Sequence, residues 1–255
     1  MLLAADIGNT HSVFGLFDGE TLRASWRLAT RRDGTSDELG ILLRGMFAEM
    51  DLDYREVAGM IACSVVPDLN GVLTAASRRY FDQEPLFVGP GVKTGMSILY
   101  ENPHAVGADR IVNAVAASTR HGCPVIVLDF GTATTFDVVG PGGEYLGGVI
   151  APGVEVSAEA LFEKAARLHR VDVKQPARVI GRNTEEVIQS GLFHGYVALA
   201  EGLVARIRRE LAVEAPVVAT GGLAPVFASA LDFLEDVDQG LTLEGLRLIW
   251  QKNRP

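Results

Sequence analysis

The apolar positions at the start of the chain predict three antiparallel strands. Residues 2–6 and 11–17 are mainly apolar, and the Gly-Asn-Thr segment between them is typical of a hairpin. Asp18-Gly19 predicts a tight turn into a third strand, TLRASWRLAT. Helical spacing of apolar residues follows in SDELGILLRGMFAEMDL, and after it come a buried strand (VAGMIACSVV), a helix (DLNGVLTAASRRYF) and a short strand (PLFVG).

The second half of the chain repeats this order. PVIVLDFG, ATTFDVVG and EYLGGVIAP predict three strands, with Gly142-Gly143 as the turn before the third. VEVSAEALFEKAARL predicts a helix, and a long helix follows with Asn183 as its N-cap, Glu186 as the reciprocal partner and an end near Leu211. PVVATGG then predicts a strand and LAPVFASAL a helix, while GADRIVNAVAASTRHG predicts a helix between the halves. We therefore expect two α/β domains, residues 1–118 and 119–255.

Composition limits the classes of function. The 255 residues suffice for one large or two modest domains, and the net charge of −9 argues against a nucleic-acid-binding face. Cys63 and Cys123 lie in neither a CxxC nor a His-rich context, so we expect neither zinc nor a disulfide and interpret both as small apolar residues. Asp6 interrupts the first apolar run, and Pro225 and Asp232 interrupt the longest later one. We therefore expect no signal peptide, no membrane span and a cytoplasmic location.

Two carboxylates occupy matching places in the repeat. Asp6 ends the first apolar run and is followed by Gly8–Thr10, and Asp129 ends the corresponding run and is followed by Gly131-Thr132. Backbone N–H groups and hydroxyls at such a turn can bind phosphate, and Mg²⁺ can bridge a carboxylate to that phosphate. One copy would fit an ordinary Asx turn equally well. Two copies favour a split nucleotide-phosphate site whose halves face each other.

Asp109 and Arg110 stand at the start of the helix between the halves, after Gly107. In a functional interpretation Asp109 is a general base and Arg110 a cationic clamp. The alternative is a helix N-terminal aspartate, stabilised by the helix dipole, beside an exposed arginine. Spacing alone favours this alternative.

The Gly221-Gly222 pair would let a flat nucleotide base approach the backbone, but a tight strand-to-helix turn explains the same segment and is favoured when the segment is taken alone. GPGVKTG lacks the G-x-x-x-x-G-K-[ST] spacing, so the sequence contains no Walker A motif there.

These motifs, taken together, match a known family. DIGNTHSVFG resembles the first phosphate motif of the actin-like ATPase superfamily, LDFGTATTFD the second, and VVATGGLAP the adenosine motif. The order of Asp6–Thr10, Asn102–Arg110, Asp129–Thr135 and Gly147–Gly153 is similar to that of the type III pantothenate kinases, over essentially the whole chain. The resemblance implies an α/β fold of two RNase H-like (actin-like ATPase) domains with an active-site cleft between them. It also implies ATP-dependent phosphorylation of (R)-pantothenate to 4′-phosphopantothenate, the first step of coenzyme A biosynthesis.

The resemblance further implies roles for individual residues. Asp109 would take the proton of the pantothenate hydroxyl, Asp129 would bind K⁺ or NH₄⁺, and Asp6 would hold Mg²⁺ through water. The ATP-binding positions would be Asp6, Ile7, Gly8, Asn9, Thr10, His11, Ser12, Val13 and Thr132. The pantothenate-binding positions would be Tyr100, Gly107, Ala108, Asp109, Arg110 and Thr184.

The family is also expected to act as a homodimer, with Thr184 near the interface. Val13 departs from those relatives that have Lys or another polar residue there, which leaves a backbone contact to ATP but puts a side-chain contact in doubt.

Other functions are weighed against this one. A different small-molecule kinase of the superfamily is disfavoured by length, and a nucleotide-driven chaperone would need a substrate-binding domain for which no residues remain. A non-catalytic regulator would not need to keep Asp6, Asp109 and Asp129 together, and this chain has all three.

Overall fold

The structure is a computed structural model that describes residues 1–165 and 170–254. Its strands in chain order are β1 (Leu2–Ile7), β2 (His11–Asp18), β3 (Thr21–Ala29), β4 (Gly59–Ser64), β5 (Pro85–Phe87), β6 (Val125–Phe130), β7 (Ala133–Val139), β8 (Tyr145–Pro152), β9 (Val217–Thr220) and β10 (Leu234–Val237). Its helices are α1 (Ser36–Glu49), α2 (Pro67–Phe81), α3 (Ala108–His121), α4 (Val154–Lys164), α5 (Thr184–Leu211), α6 (Ala224–Phe227) and α7 (Leu241–Asn253).

The described residues form two compact units, each built on a five-stranded mixed sheet. The first unit contains Met1–Met96, Glu101–Ala116 and the chain from Leu241 onward, and the second contains Ser97–Tyr100 and Ala117–Gly240. The strand order is β3-β2-β1-β4-β5 in the first unit and β8-β7-β6-β9-β10 in the second. In each sheet the three meander strands pair antiparallel and the other pairings are parallel. This common order confirms the internal repeat and the predicted α/β fold class of two RNase H-like domains.

The core of the first unit explains where Asp6 lies. Leu3, Ala5 and Ile7 of β1 are buried in one cluster with Phe47 of α1 and Leu73 of α2. Because successive side chains of a strand alternate between its faces, Asp6 lies on the opposite face of the sheet. The equivalent cluster of the second unit includes Ile126, Leu128, Phe130, Phe193 and Phe227.

The last helix lies in a different unit from the one expected when the chain is divided at residue 118. α7 belongs to the first unit, because glycines on the sheet leave room for its large side chains. A Cβ on Gly15 would lie 2.7 Å from Leu243 Cδ1, and a Cβ on Gly59 would lie 2.2 Å from Trp250 Cζ2. These approaches are closer than real Cβ atoms tolerate, so a side chain at either position would force the α7 side chain to shift. The structure adds two elements, α7 and β10, that are not among those predicted from the sequence.

Helix caps account for the boundaries that were predicted well. The Asn183 side chain accepts a hydrogen bond from the Glu186 N–H at 2.9 Å, so α5 begins where its N-cap predicted. Thr35 caps α1 in a capping box with Glu38. α4 ends at Lys164, and the residues predicted to continue it as far as 168 lie partly outside the described ranges. None of the described helices has the length and apolar character needed to cross a bilayer.

Candidate active site

A row of four paired residues crosses the first sheet at Asp6. Arg27 on β3 pairs with Val13 on β2, Val13 pairs with Asp6 on β1, and Asp6 pairs with Cys63 on β4. Directly paired residues project from the same face of a sheet. The row therefore places a guanidinium, an apolar side chain, a carboxylate and a thiol side by side on one face.

The loop after β1 is held in a tight hairpin. The Gly8 N–H donates to the His11 carbonyl at 3.1 Å, and a Cβ on Gly8 would lie only 2.8 Å from that oxygen, so glycine is required here. The Thr30 hydroxyl donates to the Gly8 carbonyl at 2.7 Å and lies 2.9 Å from the Ser12 hydroxyl. The loop thus has a fixed backbone, while Asn9, Thr10 and His11 stay exposed to a ligand.

Asp6 carries a strongly perturbed carboxyl group. Burial, together with the charge of Asp109, raises the pKa of Asp6 from 3.8 to about 7. A hydrogen bond from the Cys63 thiol, 3.3 Å from Asp6 Oδ1, and the charge of Arg27 act in the opposite direction. A carboxyl group in this setting is stabilised as an anion when a cation binds beside it.

Asp109 is the second carboxyl group of this face, in the first turn of α3. Burial raises the pKa of Asp109, and the hydrogen bond and charge of Arg110 partly oppose this rise. Asp109 Oδ1 accepts the Arg110 backbone N–H at 2.9 Å, and a Cβ on Gly107 would lie 2.5 Å from the same oxygen. Gly107 therefore leaves the space that this carboxylate occupies.

The second unit repeats the arrangement around Asp129. Asp129 pairs with Thr135 on β7 and with Thr220 on β9. A Cβ on Gly221, whose φ is +90°, would lie 2.3 Å from Asp129 Oδ1 and 2.7 Å from the Phe130 carbonyl oxygen. The strand-to-helix turn at Gly221 therefore brings its backbone against the carboxylate, as only glycine allows.

Thr132 lies in the loop after Asp129, and this loop rests on the start of α4. A Cβ on Gly153, the N-cap of α4, would lie 2.0 Å from the Thr132 carbonyl oxygen. The Thr132 side chain is exposed. On the other side of Asp129, the Gln239 amide donates to the Gly221 carbonyl at 2.8 Å.

The residues predicted for pantothenate lie in both units. Gly107, Ala108, Asp109 and Arg110 are consecutive at the start of α3 in the first unit. In the second unit, the Tyr100 ring lies 3.5 Å from where a Cβ on Gly147 would be, and Thr184 is the exposed first residue of α5.

The structure therefore brings together Asp6, the Gly8–Thr10 loop, Asp109 and Arg110 in the first unit, and Asp129 and Thr132 in the second. It also places Cys63, Arg27 and Thr30 around Asp6 and its loop, and the sequence pattern singled out none of these three for a role there. The signal for Cys63 is its place near the end of a predicted buried strand, like that of Asp6 near the end of β1. We found no such signal for Arg27, since its position beside Asp6 depends on the register of two strand pairs.

The chain was also compared with known proteins. The family model described as "Type III pantothenate kinase" matches residues 2–206. The chain is 55% identical over 254 residues to a type III pantothenate kinase of Anaeromyxobacter sp. (strain Fw109-5), with 100% of both chains covered. It is 53% identical to that of Myxococcus xanthus (strain DK1622), with 99% of both covered.

Among solved structures, component A of (R)-2-hydroxyglutaryl-CoA dehydratase from Acidaminococcus fermentans superposes with a TM-score of 0.57 at 16% identity, covering 97% of this chain and 95% of that one. At this identity the likeness concerns the fold alone.

Proposed function

Because this chain belongs to the type III pantothenate kinase family, we propose that it transfers the γ-phosphate of ATP to the primary hydroxyl of (R)-pantothenate. The products are ADP and 4′-phosphopantothenate, and the reaction is the first step of coenzyme A biosynthesis. The observation that carries the proposal is the pair of carboxyl groups, Asp6 and Asp109, that interact beside the exposed loop of β1 and β2.

Asp109 acts as the base in this proposal. The pantothenate hydroxyl oxygen attacks the γ-phosphorus, the bond from that phosphorus to the β,γ-bridging oxygen breaks, and the hydroxyl proton goes to Asp109. The raised pKa of Asp109 makes it a better proton acceptor than an exposed aspartate. In a loose phosphoryl-transfer transition state the acceptor proton moves late, so alignment of the hydroxyl matters as much as basicity.

ATP is proposed to bind along the loop from Asp6 to Val13, and Thr132 is proposed as a further ATP-binding residue. The fixed Gly8–Thr10 backbone and the exposed Asn9 and Thr10 side chains are suited to phosphate oxygens. Val13 lies in the sheet opposite Asp6, so we assign it a backbone role at most. The Gly221-Gly222 turn after β9 is the segment we propose to contact the adenine base.

Mg²⁺ fits the residues around Asp6. The described residues contain no group of three or more His, Cys, Asp and Glu side chains that could hold a metal ion. Mg²⁺ in kinases is commonly held by one or two carboxylates together with phosphate oxygens and water. A buried carboxyl group whose pKa is raised by a second carboxyl group suits this role, and we propose that Asp6 holds Mg²⁺ through water. The bound ion would neutralise phosphate charge.

A monovalent cation, K⁺ or NH₄⁺, fits the residues around Asp129. The Asp129 carboxylate and the Phe130 carbonyl oxygen both border the space that a Cβ on Gly221 would fill. Oxygen ligands of this kind suit a hard cation. We propose that Asp129 binds the monovalent cation, whose charge favours phosphate binding nearby.

Pantothenate is proposed to bind to Tyr100, Gly107, Ala108, Asp109, Arg110 and Thr184.

We also propose that the protein acts as a homodimer with Thr184 near the interface. Large apolar side chains are exposed close to Thr184 in sequence, and Val179, Ile180 and Val187 are 65%, 81% and 55% exposed. Such a surface is typical of a protein contact, and the molecular mass in solution tests it.

We place the activity in the cytoplasm, where ATP and K⁺ are abundant.

The first experiment is to measure ADP release from Mg-ATP with and without pantothenate, in K⁺ and in Na⁺ buffer. Turnover that needs both pantothenate and K⁺ supports the reaction and the cation together. Absence of turnover with pantothenate, from a protein that still binds Mg-ATP, would contradict the proposed acceptor and lead to a screen of other hydroxylated acids.

A further inference from the structure

The proposed nucleotide site lacks positive charge within its own loop. The loop from Asp6 to Val13 contains neither Lys nor Arg and begins with a carboxylate, and Asp109 adds a second one. A nucleoside triphosphate remains an anion even with one Mg²⁺ bound. Positive side chains near the phosphates are the usual means of balancing such charge in phosphoryl transfer.

Arg27 is the cationic residue that the sheet places on this face. It stands two strands from Asp6 in the same paired row, and Val13, between them, has no charge. Neighbouring strands are about 4.8 Å apart, so its Cα lies roughly 10 Å from that of Asp6, within reach of a long side chain and a phosphate together. Its charge is also among those that act on Asp6.

Arg27 is available for a ligand, unlike the other arginines of this strand and its end. Arg23 pairs with Asp18 at 3.6 Å and Arg31 with Asp33 at 3.8 Å. Within the part of the chain that the structure describes, Arg27 makes no ion pair, and it is exposed.

The residues that follow β3 also form hydrogen bonds to the proposed phosphate loop. The Thr30 hydroxyl donates to the Gly8 carbonyl at 2.7 Å, and the Thr30 N–H donates to the Thr10 carbonyl at 2.9 Å. The Arg32 guanidinium donates to Asn9 Oδ1 at 2.8 Å. The strand that carries Arg27 is therefore fixed to the loop that would hold the phosphates.

We propose that the Arg27 guanidinium binds the β- and γ-phosphates of the nucleotide and forms one side of the phosphate site together with Thr30 and Arg32, which follow β3. This inference rests on the proposed function, since it assumes a nucleotide on the Asp6 loop. It adds to that function a binding residue that supplies the positive charge missing from the loop.

The test measures equilibrium binding of Mg-ATP, Mg-ADP and AMP to the purified full chain, without pantothenate. Arg27→Gln should weaken Mg-ATP and Mg-ADP binding about ten- to a hundredfold, as expected for loss of a charge-assisted hydrogen bond, and leave AMP binding unchanged. Arg27→Lys should bind Mg-ATP and Mg-ADP with affinities between those of the wild type and Arg27→Gln. Arg23→Gln, an exposed arginine of the same strand, is the matched control and should bind like the wild type.

Mg-ATP binding by Arg27→Gln that equals that of Arg23→Gln would overturn the inference, and so would an equal loss of AMP binding. Because Arg27 is exposed, a circular dichroism melt should show both variants folded. A wild-type chain that binds no Mg-ATP overturns this inference together with the proposed function. If the wild-type protein binds Mg-ATP but does not phosphorylate pantothenate, only the proposed acceptor is wrong. The comparison of Arg27→Gln with Arg23→Gln then still tests this inference.

Discussion

The Cys63 thiol donates a hydrogen bond to Oδ1 of Asp6, across the parallel pair of β1 and β4, at 3.3 Å. Cys63 is fully buried, so this contact restrains one carboxylate oxygen and leaves the other for a ligand. The sequence context of Cys63 predicts a small apolar residue. The structure gives it a polar role, because the thiol is the partner that stabilises the buried anion.

Two substitutions of Cys63 separate the effect of its hydrogen-bond donor from the effect of its side-chain size. Cys63→Ser keeps a donor and should keep Mg-ATP affinity, whereas Cys63→Ala removes it and should raise the KM for Mg-ATP about two- to tenfold, since one hydrogen bond contributes about 0.5–1.5 kcal/mol. The KM for pantothenate should not change. Cys123→Ala, which removes an exposed thiol, serves as the control. Equal affinity in Cys63→Ala and Cys123→Ala would exclude a role for the hydrogen bond.

The raised pKa of Asp6 predicts how the stability of the ligand-free protein depends on pH. The pKa is about 7 in the folded protein against 3.8 ordinarily, so the contribution to stability is complete below pH 3.8 and is lost as the pH rises through 7. Asp6→Asn should therefore be more stable than the wild type at pH 8, by on the order of 1–3 kcal/mol after discounting for solvent screening. Urea unfolding at pH 5 and pH 8 measures this.

Two results would count against the assignment of this pKa. One is a stability difference between Asp6→Asn and the wild type that stays constant from pH 5 to pH 8. The other is a wild type that gains stability relative to the variant as the pH rises. Adding Mg-ATP should reduce the difference at pH 8, because a bound cation stabilises the Asp6 anion.

Asp109 can be tested against the simple alternative of a helix-capping aspartate. Asp109→Asn should keep Mg-ATP and pantothenate binding and lower kcat about 10²–10⁴-fold, as loss of a general base does. Asp68→Asn is the matched control, because Asp68 is an exposed acidic residue in the first turn of α2. If the two variants lose stability equally and both retain kcat, Asp109 has only the helix-dipole role.

Local signals made the elements around the site predictable. The hairpins, the Asn183 cap and the paired apolar runs ending in Asp6 and Asp129 all depend on residues close in sequence, and the structure contains them. The repeated order of elements predicted two similar α/β domains, and both sheets of the structure share one strand order.

Features that depend on register or on distant packing were not predictable. The row from Arg27 to Cys63 requires three strand pairings to be in register at once, and a shift of one residue would turn Arg27 to the other face. α7 was missed for a related reason. Its place is set by Gly15 and Gly59, which lie more than 180 residues earlier in the chain and have no local signal for a helix partner.

Gly221 offers the sharpest test of the Asp129 site. An alanine there would place its Cβ 2.3 Å from Asp129 Oδ1, so the carboxylate must move. Alanine at a positive φ also costs about 1–2 kcal/mol by itself. Gly91 has a φ of +89°, nearly that of Gly221 at +90°, but open space around its Cβ position. Gly91→Ala therefore carries the backbone strain without displacing a carboxylate.

Comparison of these two alanine variants with Asp129→Ala isolates the carboxylate position. Gly221→Ala and Asp129→Ala should both lose activation by K⁺, measured as the ratio of ADP release in K⁺ to that in Na⁺ buffer. Gly91→Ala should lose stability but keep that ratio, because its strain leaves Asp129 in place. A normal K⁺ ratio in Asp129→Ala would locate the cation elsewhere. A normal ratio in Gly221→Ala alone would mean that the Asp129 carboxylate still binds the cation after it has moved.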